Sequence, residues 1–406
     1  MNEYYFHNPF RPGAGHMPPH LAGREKETGE FKRILDQNVI LENFLLTGLR
    51  GVGKTVLLDT LKPLAIQIGW LWAGTDISES SSVTEEIMAQ RLIVDLAVVT
   101  SNIIIGSNET KKIGFLSKEE VHHKKLNYEV LTAIYKSTPG LVSDKLKGLL
   151  QTVWEIIKPL NTRGIIFAYD EAQTMSDHSE KEQYPLSLLL DIFQSIQKKN
   201  IPFMLVLTGL PTLFPKLVET RTYSERMFRV VVLNRLNEKE SKEAILKPIE
   251  DAKCPIKFNE ASINMIIKES DGYPYFIQFI CREVFDIFLQ QLKRGEKPSA
   301  PIEEITRKLD QDFFAGRWAK VTDRQKDLLC VIASLESCHE EFTVQEIVEK
   351  SLKILDKSFS NSHVNQMLSL LVESGLIYKN RHGKYSFAVP LLGKFIQRQI
   401  KMNETP

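Results

Sequence analysis

The chain of 406 residues is long enough for two or three domains at about 150 residues each. Hydrophobic residues make up 43% and charged residues 25%, the balance of an ordinary globular protein rather than a disordered or fibrous one. A net charge of +1 excludes a chain whose overall field selects nucleic acid or membrane, so any basic surface must be local.

Residues 1–20 are rich in Pro, Gly and His and read as an extended arm, with no apolar core that could serve as a signal peptide. "LAGREKETGEFKRIL" then opens a helix. "NFLLTG" is a short buried strand that runs into the glycine-rich "GLRGVGKT". "KTVLLDTLKPLAIQIG" is the next helix, which Pro63 should kink or bring to an early end. "WLWAG" is a second strand. Residues 77–163 read as a mostly helical excursion. Ser82 with Glu85, and Ser117 with Glu120, have capping-box spacing, and "SDKLKGLLQTVWEIIK" is a further helix. The longest apolar stretch, "LIVDLAVVTSNIII", is broken by Asp95 and Asn102 and is too short and too polar to span a bilayer. His122 and His123 are adjacent, so on a helix they would diverge, which argues against a metal pair. "GIIFAY", "PFMLVLTG" and "FRVVVL" are three more strands. Their alternation with helices such as "LSLLLDIFQSIQKKN" predicts a parallel sheet with helices on both faces.

After Leu236 three helical segments form a small lid, and "RGEKPSAP" is a linker by composition. Further on, Thr322 with Gln325 and Thr343 with Glu346 predict two capped helices. Residues 364, 367, 368, 371 and 372 give a third helix its apolar stripe, ended by Gly375. "LIYKNRHGKYSFAV" reads as two strands turning at His382-Gly383. Helix, helix, helix, hairpin is the order of a winged helix-turn-helix. The four cysteines, Cys254, Cys281, Cys330 and Cys338, include no C-x-x-C pair and read as buried apolar groups in a reducing cytosol. The domain plan is therefore an arm at 1–20, a nucleotide-binding core at 21–236 with its insertion at 77–163, a lid at 237–300 and a winged helix domain at 301–406.

The chemistry concentrates in two places. In the loop of Gly48, Leu49, Arg50, Gly51, Val52, Gly53, Lys54 and Thr55, the glycines let backbone N–H groups turn inward around phosphate oxygens. The following helix offers its positive end to the same anion. Lys54 supplies a point charge, and the Thr55 hydroxyl can ligate magnesium. "IIFAYDEAQ" then places Asp170 at a strand end, where a carboxylate can hold magnesium, and Glu171 beside it, where one can orient or deprotonate an attacking water.

The order "LAGREKE", "GLRGVGKT", "FAYDEAQ", "LVLTGLP" and "DGYPYFIQF" resembles the AAA+/STAND group of P-loop ATPases. Within it the chain resembles prokaryotic ATPases similar to the archaeal origin initiators, over roughly residues 8–290, with the winged helix extending the likeness. The resemblance implies ATP and magnesium as ligands. It implies that Leu21 to Arg24 lie near the adenine and that Thr208 contacts the outer phosphate or the attacking water. It also implies that an arginine of "SERMFRVVVL" acts on a neighbour's nucleotide, with Arg226 the candidate and Arg229 and Arg221 the alternatives. "DGYPY" departs from the origin initiators, which carry a sensor arginine in the lid. It looks like the Gly-x-Pro turn of STAND switches, making Gly272 and Pro274 candidates for nucleotide contact.

On the third C-terminal helix Asn361, Ser362, Asn365, Gln366 and Ser369 lie off the apolar stripe, and such side chains reach base edges. Lys350 to Lys401 hold nine lysines and arginines against two acidic residues, a net of +7, and Lys379, Arg381 and Lys384 flank the wing turn. The expected function is an ATP-driven switch in the cytoplasm, acting on double-stranded DNA or a DNA-bound partner and self-associating with ATP. A signalling ATPase whose winged helix docks a protein is the alternative. A helicase is disfavoured because the sequence shows no second motor domain with its arginine motif.

Overall fold

The computed structural model describes residues 7–37, 39–110, 120–254, 256–381 and 383–404. They form two compact units. One comprises Glu25–Thr47 and Leu57–Val232; the other comprises Met1–Arg24, Gly48–Val56 and Leu233–Pro406.

The first unit is built on a five-stranded sheet. In chain order its elements are α1 (Glu25–Leu35), β1 (Asn43–Gly48), α2 (Lys54–Gln67), β2 (Trp70–Ala73), α3 (Glu85–Thr100), β3 (Ile104–Thr110), β4 (Glu120–Lys125), α4 (Tyr128–Ser137), α5 (Val142–Ile157), β5 (Gly164–Tyr169), α6 (Pro185–Gln197), β6 (Phe203–Gly209), α7 (Leu213–Thr220), α8 (Ser224–Met227) and β7 (Phe228–Leu233). The strand order is β2-β5-β6-β1-β7. Neighbours β2–β5, β5–β6 and β6–β1 pair in parallel. Every residue of β1, β5 and β6 is buried, which is why these strands read as unbroken apolar runs. Register divides the sheet into two faces. Trp72 and Phe44 lie on one, with Phe31 of α1 packed edge-on against both. Leu45, Phe167 and Leu207 lie on the other, in one core with α3, α5 and α6, where Phe193 meets Phe167 at 5.1 Å.

The insertion, expected to be mostly helical, holds α3, α4 and α5 and also two strands. Its middle is an antiparallel hairpin, β3 with β4, in which His123 pairs with Ser107. Glu120 therefore lies in a strand and caps no helix, while Ser117 falls outside the described residues. The helix expected at Ser82 starts two residues later: Thr84 caps α3 by accepting from the Ile87 amide at 3.2 Å. Ser82 is buried in a preceding 3-10 turn, and its hydroxyl donates back to Glu79 O, so it is already used. Pro63 does not end α2, which continues to Gln67. The carbonyl that Pro63 leaves without a donor belongs to Asp59, which is exposed to water.

The second unit contains α9 (Glu238–Asp251), α10 (Glu260–Ser270), α11 (Pro274–Lys293), α12 (Ile302–Leu309) and, beyond a π-helical turn at Asp310–Ala315, α13 (Gly316–Trp318). The C-terminal part follows as α14 (Asp323–Ala333), β8 (Phe342–Thr343), α15 (Val344–Ile354), α16 (Asn361–Glu373), β9 (Ile377–Arg381), β10 (Lys384–Phe387) and α17 (Leu392–Glu404). Asn237, Thr322 and Thr343 each make the reciprocal capping box. Three helices and a hairpin occur in the expected order, with β8 adding a third strand on the far side of β10. Helices α9 to α13 and the C-terminal part share one core: Phe276 meets Phe313 at 4.9 Å, and Phe314 stacks on Phe395 at 5.1 Å. The N-terminal arm joins the same core. Phe10 is buried against Phe258 and Phe285, and Asn8 bonds to Arg282 O and Asp286.

Candidate functional site

The phosphate loop begins on the residue after Thr47 of β1. Gly51 and Gly53 have φ of 79° and 90°, a left-handed backbone that side-chain-bearing residues adopt at a cost. Lys54 is 8% exposed, and its Nζ donates to Gly48 O and Leu49 O, both at 2.9 Å. The first turn of α2 carries no acidic residue to neutralise its positive end, which stays available to an anion. Two groups of the same unit grip the loop. Nη2 of the buried Arg24 donates to Val52 O and Asn234 O, both at 2.9 Å. The Tyr275 amide donates to Gly51 O at 3.2 Å. Tyr275 occupies the first turn of α11, directly after Pro274 at the helix start, so the "DGYPY" turn is aimed at the loop. Leu21 is half-buried.

At the sheet, the Tyr169–Leu207 pairing places Asp170 and Thr208 one step further along neighbouring strands, on the same face. Asp170 is 4% exposed, and its Oδ1 accepts from the Glu171 amide at 2.8 Å. Tyr169 is locked just before it: its hydroxyl donates to the buried Asp95 at 2.9 Å, and Arg91 pairs with Asp95. Burial, with Asp95 beside it, pushes the Tyr169 phenol well above its usual range and keeps it a neutral donor. Glu171 has φ 53° and ψ 31°, a strained conformation for a non-glycine residue. Its carboxylate is exposed and accepts from Gln173 Nε2. Gln173 Oε1 accepts from the Leu210 amide at 3.1 Å, tying the Glu171 turn to the end of β6. Among the described residues, the buried Thr208 and Thr47 hydroxyls have no hydrogen-bond partner.

The three candidate arginines differ in their engagement. Arg221 holds Asp191 through two bonds at 3.0 and 2.9 Å, which raises its pKa further. Arg229 bonds to Glu30 at 3.2 Å. Arg226 is exposed, and its side chain makes no hydrogen bond or ion pair among the described residues.

On α16, Val364, Met367, Leu368 and Leu371 are buried, and Asn361, Ser362, Asn365, Gln366 and Ser369 are exposed. Asn365 Nδ2 donates to Asn361 O at 2.9 Å, and Ser369 donates to Asn365 O at 3.1 Å. Lys379 is exposed and Lys384 half-buried, while the Arg381 side chain and His382 lie outside the described residues. Sequence reasoning missed Gln173, Tyr275 and Thr47. Gln173 stood inside the quoted "DEAQ", but nothing in its spacing told of the bond to Leu210. Candidate ligands for magnesium are one hydroxyl, Thr55, and one carboxylate, Asp170. These hard oxygens suit an ion that keeps several waters and takes the rest from phosphate.

The parallel five-stranded sheet with helices on both faces, the loop that follows its strand β1 and the helical C-terminal region define a P-loop NTPase fold. Solved structures share that fold. The Walker-type ATPase of Pyrococcus abyssi aligns over 93% of this chain and 96% of its own, at 16% identity and a TM-score of 0.56. The Aeropyrum pernix ORC2 protein in its ADP form aligns over 97% and 98%, at 13% identity and a TM-score of 0.56. The ADPNP-ADP complexes of that protein give a TM-score of 0.51 at 12% identity, again over 97% and 98%. A family described as "Domain of unknown function (DUF8462)" matches residues 311–396. No curated protein matches the chain. Among the described residues, no helix is long and apolar enough to cross a membrane.

Proposed function

We propose that the chain is an ATP-binding and hydrolysing switch of the AAA+ type, which couples its nucleotide state to DNA, or to a DNA-bound partner, through its C-terminal winged helix. The observation that carries this reading is the grip on the phosphate loop. Its carbonyls at Gly51 and Val52 are held by Tyr275 and Arg24, in the unit whose continuous core reaches the winged helix. A change in the loop on binding phosphate therefore acts on α11 and on the aromatic core behind it.

Each residue has a task. The loop amides and Lys54 hold the phosphates. Thr55 and Asp170 hold magnesium, which neutralises charge on the outer phosphates when bound. Glu171 orients a water and takes its proton. The Thr208 hydroxyl has an unused hydrogen bond to give to that water or to the outer phosphate. The Aeropyrum pernix ORC2 protein, similar in fold, is solved in an ADP form and as ADPNP-ADP complexes, which supports the nucleotide part of the reading.

The test joins turnover to binding. The purified chain should hydrolyse ATP with magnesium, and its mobility shift of duplex DNA should differ between ATP and ADP. Absence of ATP binding removes the reading. Turnover without a duplex shift under either nucleotide transfers the winged helix to a protein partner.

A further inference from the structure

The insertion is tied to the end of β5, where Asp170 sits, by two routes. The first is the backbone. After β2 the chain runs alongside that strand end: the Asp170 amide donates to Thr75 O at 3.3 Å, and the Ile77 amide donates to Asp170 O at 3.0 Å. Thr174 closes the same contact by donating its hydroxyl to Ile77 O at 3.1 Å. Gly74 permits the approach, since a Cβ there would lie 2.0 Å from Ala168 O.

The second route is α3, into which this segment leads. Asp95 lies in the middle of that helix, 2% exposed, among the buried Met88, Leu92, Ile93 and Leu96. An unpaired carboxylate there would be costly, and each oxygen of this one has a donor. Its Oδ2 accepts from the Tyr169 hydroxyl at 2.9 Å and from Arg91 Nε at 3.1 Å, and its Oδ1 accepts from Arg91 Nη2. Tyr169 is fully buried in the same core, on the face where β5 also presents Ile165 and Phe167. A phenylalanine would fill that place with no charge to bury. A buried ionic network adds little stability over apolar packing; what it can add is one fixed arrangement. Here it fixes the residue directly before Asp170.

We propose that Tyr169, Asp95 and Arg91 are positioning residues for Asp170, and that the insertion, through α3, thereby sets how tightly the site takes magnesium. This rests on the magnesium role given to Asp170 above. A displacement of α3 is carried to Asp170 by the Tyr169 hydroxyl and by the Thr75–Ile77 segment together. Arg91 is the outward end of the network, with its side chain 27% exposed. None of the three is among the residues that hold phosphate. Their loss should therefore change the metal's contribution to nucleotide binding and spare the nucleotide's own.

Binding of the non-hydrolysable β,γ-imido analogue of ATP to the full chain, measured by calorimetry with magnesium and in EDTA, tests it. The ratio of the two affinities is the magnesium gain. The variants are Tyr169→Phe, Asp95→Asn, Asp170→Asn and the double variant Tyr169→Phe with Asp170→Asn. Tyr169→Phe and Asp95→Asn should each reduce the gain about threefold or more, short of the roughly 10–100-fold that losing a direct partner of a metal ligand costs. Affinity in EDTA should stay within about twofold, as for an independent site, which also shows that the variant folds. The double variant should lose no more of the gain than Asp170→Asn alone, because Tyr169 acts through Asp170. Tyr169→Phe decides the matter if Asp95→Asn does not fold. A gain kept in Tyr169→Phe and lost in Asp170→Asn overturns the proposal and leaves the reading of Asp170 standing. A further loss in the double variant, or an equal fall with magnesium and in EDTA, also overturns it, since either marks a general structural role. A wild-type chain without a magnesium gain removes the role of Asp170 and the proposal with it.

Discussion

A buried hydroxyl without a partner is expensive, and Thr208 carries one at the end of β6. The desolvation cost of such a group is about 1–3 kcal/mol, and a shape-matched apolar replacement recovers part of it. Thr208→Val should therefore raise the urea midpoint of unfolding while slowing ATP turnover at least tenfold. A variant that is more stable and equally active would show that the hydroxyl has no part in catalysis. Lys54 offers the opposite case. Its ammonium is satisfied by loop carbonyls, so Lys54→Ala should keep the fold and lose nucleotide binding or hydrolysis. Unchanged turnover there would remove the central claim. Glu171→Gln keeps the shape of the side chain and removes the base. It should still bind ATP and hydrolyse it at least tenfold more slowly in a single turnover. Loss of binding and turnover in equal measure would make Glu171 structural. These candidates stand out in the sequence because phosphate and magnesium chemistry constrain both residue type and spacing. Gln173 does not, because its meaning lies in a contact made across 37 residues to Leu210.

Among the elements, the strands of the sheet were legible from their composition. Burial on both faces demands unbroken apolar runs, and β1, β5 and β6 are such runs. The hairpin of β3 and β4 was not, because its residues are mostly polar and a chance capping-box spacing at Ser117 and Glu120 argued for a helix. The turn before α11 illustrates how an element positions the loop. Gly272 has φ 73°; its carbonyl accepts from the Leu236 amide at 2.8 Å, and a Cβ there would meet Leu236 O at 2.3 Å. Gly272→Ala should cost at least about 1–2 kcal/mol, the penalty of the left-handed backbone alone, before the clash is counted. Because the turn carries Tyr275, nucleotide affinity should fall along with the urea midpoint. A loss of stability with full nucleotide affinity would detach the turn from the site. In the wing, replacing Lys379, Arg381 and Lys384 together should flatten the log–log salt dependence of DNA binding by roughly 3, at about 0.9 per phosphate contact. It should also weaken all duplex sequences alike, whereas replacing Asn365 and Gln366 should reduce discrimination between sites. An unchanged slope would take the wing off the DNA backbone.

For the whole molecule, the proposed coupling makes a demand that no single site can meet. If nucleotide in the loop changes the affinity of the winged helix for DNA by some factor, DNA must change the affinity for that nucleotide by the same factor. The path is physical: loop carbonyls to Tyr275, Tyr275 to Phe313 and Phe276, and Phe314 to Phe395 of α17. Coupling free energies of about 1–3 kcal/mol are usual, so a factor of roughly 5–150 is expected. The measurement is a pair of titrations on the Glu171→Gln chain, which holds ATP without consuming it. DNA affinity is taken with saturating ATP and with ADP, and the affinity for each nucleotide is taken with and without saturating duplex. The two ratios should agree. Phe313→Ala, which removes one ring from the path and touches neither ligand, should shrink both ratios together. If duplex binding is strong but both ratios are one, the winged helix is a tether and the chain is not a switch. If ATP alters self-association and not DNA affinity, the coupling runs to a second copy, with the unpaired Arg226 as the residue to test in mixed assemblies.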